Sequence, residues 1–261
     1  MKDLGEVVQP TFRSSLTRLV GDDARTWLAE LPALEADLVD RWQLELGSEL
    51  PGGLLASVRA VRLADGTDAV LKLAGPWDRT VDEIACLRAW AGGPAPELID
   101  ADESRGAILL ERIVPGATAI DAAAEQVAAL LQRIQLPDVI GLRPLVDTVR
   151  RRLDRAEREG RATGARLAWA RAAVERLDEG GPEAVIVHGD FDERNLLTCA
   201  RRGLCAIDPL PCCGDGTYDA AYWVHANRRP GRRVRFDAIV AAMGLDRGRL
   251  RDWCGVIAVH G

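Results

Sequence analysis

Residues 186–197 read Ile-Val-His-Gly-Asp-Phe-Asp-Glu-Arg-Asn-Leu-Leu, and a further acid, Asp208, stands thirteen residues beyond Asn195. The apolar run 184–187 predicts a strand that delivers His188-Gly189-Asp190 at its end. Residues 204–207 predict a second short strand ending at Asp208. Two acidic strand ends with an asparagine between them suit phosphoryl transfer. That reaction needs little covalent help and much positioned charge: a carboxylate to orient and deprotonate a hydroxyl, and hard oxygen donors for Mg²⁺. Asp190 is therefore the candidate base, and Asn195 and Asp208 are the candidate metal ligands. The plainer alternative is a loop whose Asp and Asn close turns through their own hydrogen bonds.

The other half of such a site lies upstream. Lys72 stands alone in the apolar strand 69–73, where an unpaired ammonium is costly to bury. Glu83, on a helix expected over 79–90, is its candidate partner. Together they would hold a cation against nucleotide phosphates. Gly47 and the pair Gly52-Gly53 bracket a turn between strands, where backbone amides could approach phosphate. Each signal alone is weak; their order along the chain is what points to one site.

Working outward, apolar spacing predicts a helix over 22–42. Strands follow at 54–63 and 69–73, joined by an Asp65-Gly66 hairpin, and two more at 97–101 and 107–111. Pro115-Gly116 marks a boundary. Beyond it the pattern is mostly helical, over 121–135, 145–158, 164–177 and from Tyr218 onward. Arg150–Arg152, Arg155 and Arg158 alternate with acids and read as a solvated helix face. The expected class is α+β with two lobes. An antiparallel-sheet nucleotide-binding lobe spans 1–113, preceded by a helical segment, and a mainly helical lobe with the catalytic loop and acceptor site spans 114–261.

A formal net charge of −6 over 261 residues argues against nucleic acid as a partner. Residues 1–10 lack a signal pattern, and no run approaches the roughly 20 apolar residues of a spanning helix, so the expected location is cytoplasmic, away from membranes. Six cysteines then read as reduced thiols. Cys199, Cys205, Cys212 and Cys213 lack the spacing of a zinc site.

Three stretches, 50–73, 188–197 (His-Gly-Asp-Phe-Asp-Glu-Arg-Asn-Leu-Leu) and 206–221, resemble the aminoglycoside phosphotransferases, within them the streptomycin 6-phosphotransferase and hydroxyurea phosphotransferase branch. The resemblance implies a protein-kinase-like fold and ATP, with GTP as the alternative, together with Mg²⁺. It also implies transfer to a hydroxyl of a cationic small molecule. The backbone of 110–113, with Glu111 and Ile113, would hold the adenine. Asp215 and Asp219 match the pattern that follows Asp208, as braces of the loop or as acceptor contacts. Asp192, Glu193 and Trp223 are further acceptor candidates, Trp223 serving equally as core. Phe191–Arg194 departs from the histidine-containing segment common in related enzymes, which implies a changed acceptor pocket, and Gly261 comes early for this branch. Between Asp208 and Tyr218 there is no Asp-Phe-Gly and no room for a long activation loop, so a small molecule is the expected acceptor. Hydroxyurea, a viomycin-type peptide, choline or a sugar are alternative acceptors, a nucleotide-binding pseudokinase is the non-catalytic alternative, and the oligomeric state is left open.

Overall fold

The computed structural model describes residues 10–50, 55–77, 79–138, 141–226 and 231–261, without the side chains of 10–13 and 15. Two compact units divide the chain, Met1–Gly92 with Pro96–Arg112, and Gly93–Ala95 with Ile113–Gly261.

The first unit is built on an antiparallel five-stranded sheet in the order β1-β2-β3-β5-β4. Its strands are β1 (Glu45–Glu49), β2 (Ala56–Arg62), β3 (Asp68–Ala74), β4 (Leu98–Asp102) and β5 (Ala107–Glu111). The β2–β3 hairpin closes as its sequence predicts. Gly66 takes a left-handed φ of 86°, and the Asp65 side chain accepts from the Thr67 amide at 2.9 Å. β3 then sorts its side chains by alternation. Ala69, Leu71 and Leu73 join one buried cluster with Leu109 from β5 and with Trp27, Leu28, Leu31 and Leu38 from α2 (Asp22–Arg41). Burying each large side chain of that cluster contributes about 1.5–3 kcal/mol. Lys72 lies between Leu71 and Leu73, so the pleat sends it to the opposite face from that cluster. A preceding helix, α1 (Pro10–Val20), adds Leu16 to the same cluster and was not legible in the sequence pattern. α3 (Thr80–Trp90) completes the unit.

The second unit is mainly helical: α4 (Ala124–Ile134), α5 (Leu145–Arg158), α6 (Gly164–Glu179), α7 (Thr217–Ala226), α8 (Arg232–Met243) and α9 (Arg247–His260). Two small sheets interrupt the helices. One is β6-β8-β9, from Pro115–Thr118, Leu196–Cys199 and Gly203–Ala206. The other pairs β7 (Val185–Val187) with β10 (Cys212–Gly214). Pro115-Gly116, expected as a plain boundary, thus opens a strand whose Pro115 lies opposite Cys199. β8 and β9 pair Leu196 with Ala206, and the Ile207 amide donates to the Asn195 carbonyl at 2.9 Å. That hairpin brings residue 195 beside residue 208. Among the described residues no helix is long and apolar enough to cross a membrane.

Candidate functional site

In the first unit, Lys72 Nζ donates to both carboxylate oxygens of Glu83, at 2.8 and 2.7 Å. Lys72 is 5% and Glu83 4% exposed. A pair this buried is tolerated because each charge compensates the other's lost hydration, and taking one away leaves the second stranded. Glu111 closes β5 opposite Ala69, and its side chain accepts from the Glu97 amide at 3.1 Å. The chain enters the second unit at Ile113, whose side chain is buried with Cys199 and Cys205. Gly52 and Gly53 lie outside the described residues.

In the second unit, the turn after β7 is fixed from three directions. Gly189 has a φ of 79°, and a Cβ there would stand 2.2 Å from the Leu210 carbonyl oxygen, so only glycine fits. Asp219, from the first turn of α7, accepts from the His188 amide at 2.7 Å and the Gly189 amide at 3.0 Å. Arg152, from α5, donates to the Gly189 carbonyl at 2.9 Å and to the Tyr218 hydroxyl at 2.7 Å. His188 is fully buried and donates through Nε2 to the Ile207 carbonyl at 3.0 Å. Its Nδ1 is then left as the acceptor for the Asp190 amide at 3.3 Å.

Asp190 is presented by this frame with both oxygens engaged. Asn195 Nδ2 donates to Oδ2 at 3.1 Å and to the Asp190 carbonyl at 2.9 Å, while the Tyr222 hydroxyl donates to Oδ1 at 2.8 Å. A half-buried carboxylate held in this way keeps lone pairs for one more donor and can take its proton. Asp208 is exposed and has a φ of 55°, a left-handed conformation that costs a non-glycine residue on the order of 1 kcal/mol. The Asn195 amide nitrogen is committed to Asp190, which leaves its side-chain oxygen as a hard donor of the same kind as the Asp208 carboxylate. That donor set suits Mg²⁺, which takes one or two protein oxygens and completes its shell with waters and substrate phosphates.

A cleft of about 520 Å³ opens in the second unit, lined by Asp192, Glu193, Arg194, Tyr222, His225 and Ile257 among others. Arg194 donates through Nε to Asp192 at 3.0 Å, which ties up one acid of the wall, and Glu193 is the second. Asp215, Asp219 and Trp223 are buried, the two acids in the bracing role and Trp223 in the core role that were among those expected of them. Asp215 accepts from Arg249 at 2.6 Å, from Trp253 and from the Thr217 amide; Asp219 is 0% and Trp223 2% exposed. At the cleft, the carboxylates are therefore Glu193 and an Asp192 already paired with Arg194.

The sequence profile of the aminoglycoside/hydroxyurea antibiotic resistance kinases matches residues 41–260. The chain belongs to that family. It is 35% identical to a streptomycin 6-kinase of Streptomyces glaucescens, over 96% of this chain and 87% of that one. It is 33% identical to a hydroxyurea phosphotransferase of Kitasatospora aureofaciens, over 90% and 73%. Among solved structures, the choline kinase LicA of Streptococcus pneumoniae superposes with a TM-score of 0.65 at 16% identity, covering 87% of this chain and 89% of LicA. LicA in complex with AMP gives 0.59 at 14% identity, covering 87% and 88%. The fold is that of protein-kinase-like small-molecule phosphotransferases, and this chain is a small-molecule kinase.

Sequence reasoning missed two side chains of the kinase's site, Arg152 and Tyr222. Arg152 was grouped with a solvated arginine run, and Arg150 and Arg155 do pair with Glu175 and Glu159 in that way. Arg152, however, falls three residues after buried Val149 and one before buried Leu153, on the apolar stripe of α5. That placement was the available signal. Tyr222 and His225 follow Asp219 at three and six residues on α7. The same spacing rule brings Tyr222 to the loop that Asp219 braces.

All three histidines of the kinase, His188, His225 and His260, are held below their ordinary range by burial, His260 down to about 3. The unfolded chain takes up protons at these sites near 6.5 and the folded chain resists them. Their contribution is therefore complete above about pH 6.5 and is lost as pH falls. Burial acts the opposite way on Asp219, pushed up to about 7, and on Glu35, both of which favour the fold as pH falls and offset part of the loss. His260→Leu, which removes an imidazole whose Nε2 is buried without a partner, should therefore raise the urea midpoint at pH 5 relative to that at pH 7, compared with the intact kinase. A pH dependence unchanged by the substitution would contradict this assignment.

Proposed function

We propose that this kinase transfers the γ-phosphoryl group of ATP to a hydroxyl of a cationic antibiotic, with streptomycin or a related aminoglycoside as the acceptor. One observation carries the reading. Asp190 is held at both oxygens beside a cleft that shares Tyr222 with it and carries Asp192 and Glu193 in its wall. Carboxylates in such a wall favour ammonium or guanidinium groups through charge-assisted hydrogen bonds. The identity to a streptomycin 6-kinase over nearly the whole chain supports the same acceptor.

In this reading residues 1–113 form the nucleotide lobe and 114–261 the acceptor lobe. Lys72, positioned by Glu83, holds nucleotide phosphates, with Gly52-Gly53 and the backbone around Glu111–Ile113 completing the nucleotide site. Asp190 orients the acceptor hydroxyl and takes its proton as the oxygen attacks phosphorus in line. Asn195 and Asp208 would hold Mg²⁺, which supplies positive charge to the phosphate oxygens. The complex of LicA, a neighbour in fold, with AMP makes ATP the first donor to try, with GTP in parallel.

The test is ATP turnover by the purified kinase with Mg²⁺ against streptomycin, other aminoglycosides, hydroxyurea, a viomycin-type peptide and choline. Turnover that depends on streptomycin supports the reading. Turnover with hydroxyurea alone would favour the second reading that the 33% identical phosphotransferase brings. Bound ATP with no acceptor-dependent turnover across the panel would overturn the acceptor class.

A further inference from the structure

α7 grips the catalytic loop twice with residues one turn apart. Asp219 holds the backbone through the His188 and Gly189 amides, and Tyr222 holds the side chain through Asp190 Oδ1 at 2.8 Å. With Asn195 on Oδ2, the Asp190 carboxylate has no free rotation left. The Tyr222 ring is itself fixed. The Arg152 guanidinium lies 5.7 Å from its centroid while donating to Gly189 and Tyr218, and the Tyr218 ring packs 5.9 Å away. Tyr222 also lines the cleft, so its hydroxyl stands where Asp190 and the incoming acceptor meet.

Resting on the reading of Asp190 as base, we propose that Tyr222 is the positioning residue for that base. Its O–H fixes the plane of the carboxylate, so that the acceptor hydroxyl meets one preset lone pair. Burial first, and Asp190 second, push the Tyr222 hydroxyl above its ordinary range, so it remains a donor at every pH at which the kinase works. The other charged and titratable groups around Asp190 are Arg152 from α5, His188 and Arg194 from its own loop, and Tyr218 and Asp219 from α7. None of these places a side-chain donor on Oδ1 in this structure, whereas Tyr222 does.

The experiment compares Tyr222→Phe and Asp190→Asn with the intact kinase. It measures kcat, KM for ATP and thermal midpoint, using whichever acceptor supports turnover. Tyr222→Phe is expected to lower kcat about 10- to 100-fold with KM for ATP and the thermal midpoint close to those of the intact kinase, a split that loss of the fold would not give. Should that variant not fold, 3-fluorotyrosine at position 222, which keeps the donor in nearly the same shape, should retain a kcat close to that of the intact kinase. A Tyr222→Phe kcat equal to that of the intact kinase overturns the inference, as does a loss matched by a lowered thermal midpoint and a raised KM for ATP. Activity in Asp190→Asn would instead remove the base assignment on which the inference rests. An inactive Asp190→Asn beside a fully active Tyr222→Phe would remove only the role of Tyr222.

Discussion

Asp190→Ala lowers kcat by about a thousandfold or more while leaving the dissociation constant for ATP close to that of the intact kinase. Removing a general base typically forfeits 10²–10⁴ in rate, roughly the upper part of which applies where the base also orients the nucleophile. Nucleotide affinity should be spared because Lys72 and Glu83, the pair proposed to hold phosphate, belong to the other unit. The substitution also leaves the Tyr222 hydroxyl and the Asn195 amide without their carboxylate partner, so Asp190→Asn is the cleaner companion variant. Single-turnover transfer and equilibrium ATP titration together check the expectation. A rate within tenfold of the intact kinase would move the base elsewhere.

The second large effect is on folding. Asp219→Ala should lower the unfolding free energy by about 3–5 kcal/mol, since two buried amides, of His188 and Gly189, lose their only side-chain acceptor at once. Asp219→Asn separates charge from geometry. An amide side chain offers one acceptor oxygen and turns a donor toward the second N–H, so it should recover less than half of the loss. Urea unfolding of the three proteins at pH 7 decides it. A loss under about 1 kcal/mol in the alanine variant would mean that the loop is held by Gly189 and Arg152 rather than by Asp219.

What the sequence made legible were residues whose chemistry conflicts with their surroundings. A lysine inside Val70–Leu73 demands an anion, and Glu83 on the next helix meets it at hydrogen-bond distance. His-Gly-Asp at the end of an apolar run demands a sharp turn, and Gly189 makes it. The larger helices followed from period alone. Of the elements of three or four residues, β7 and β9 were legible as apolar runs, but β6, β8 and β10 exist through partners such as Cys199, Ala206 and Val187, which no local pattern names. For Asp215 and Asp219 the sequence left two roles open, bracing the loop or contacting the acceptor. A count of carboxylates near a loop does not tell which are spent inside the protein, and Asp215 and Asp219 are held by Arg249 and by backbone amides. Tyr222 and Arg152 were missed because each looks ordinary on its own helix and becomes informative only once α5, α7 and the loop are brought together.

The cleft described above draws its named lining from the turn at 192–194, from α7 and from α9, all within the second unit. The lysine–glutamate pair is confined to the first. Heredity can therefore work on the two halves separately. If the proposed roles hold, a lineage exposed to an unfamiliar drug would change what the enzyme neutralises by exchanging Glu193, His225 or Ile257, while its grip on the phosphate donor would pass unchanged from one generation to the next.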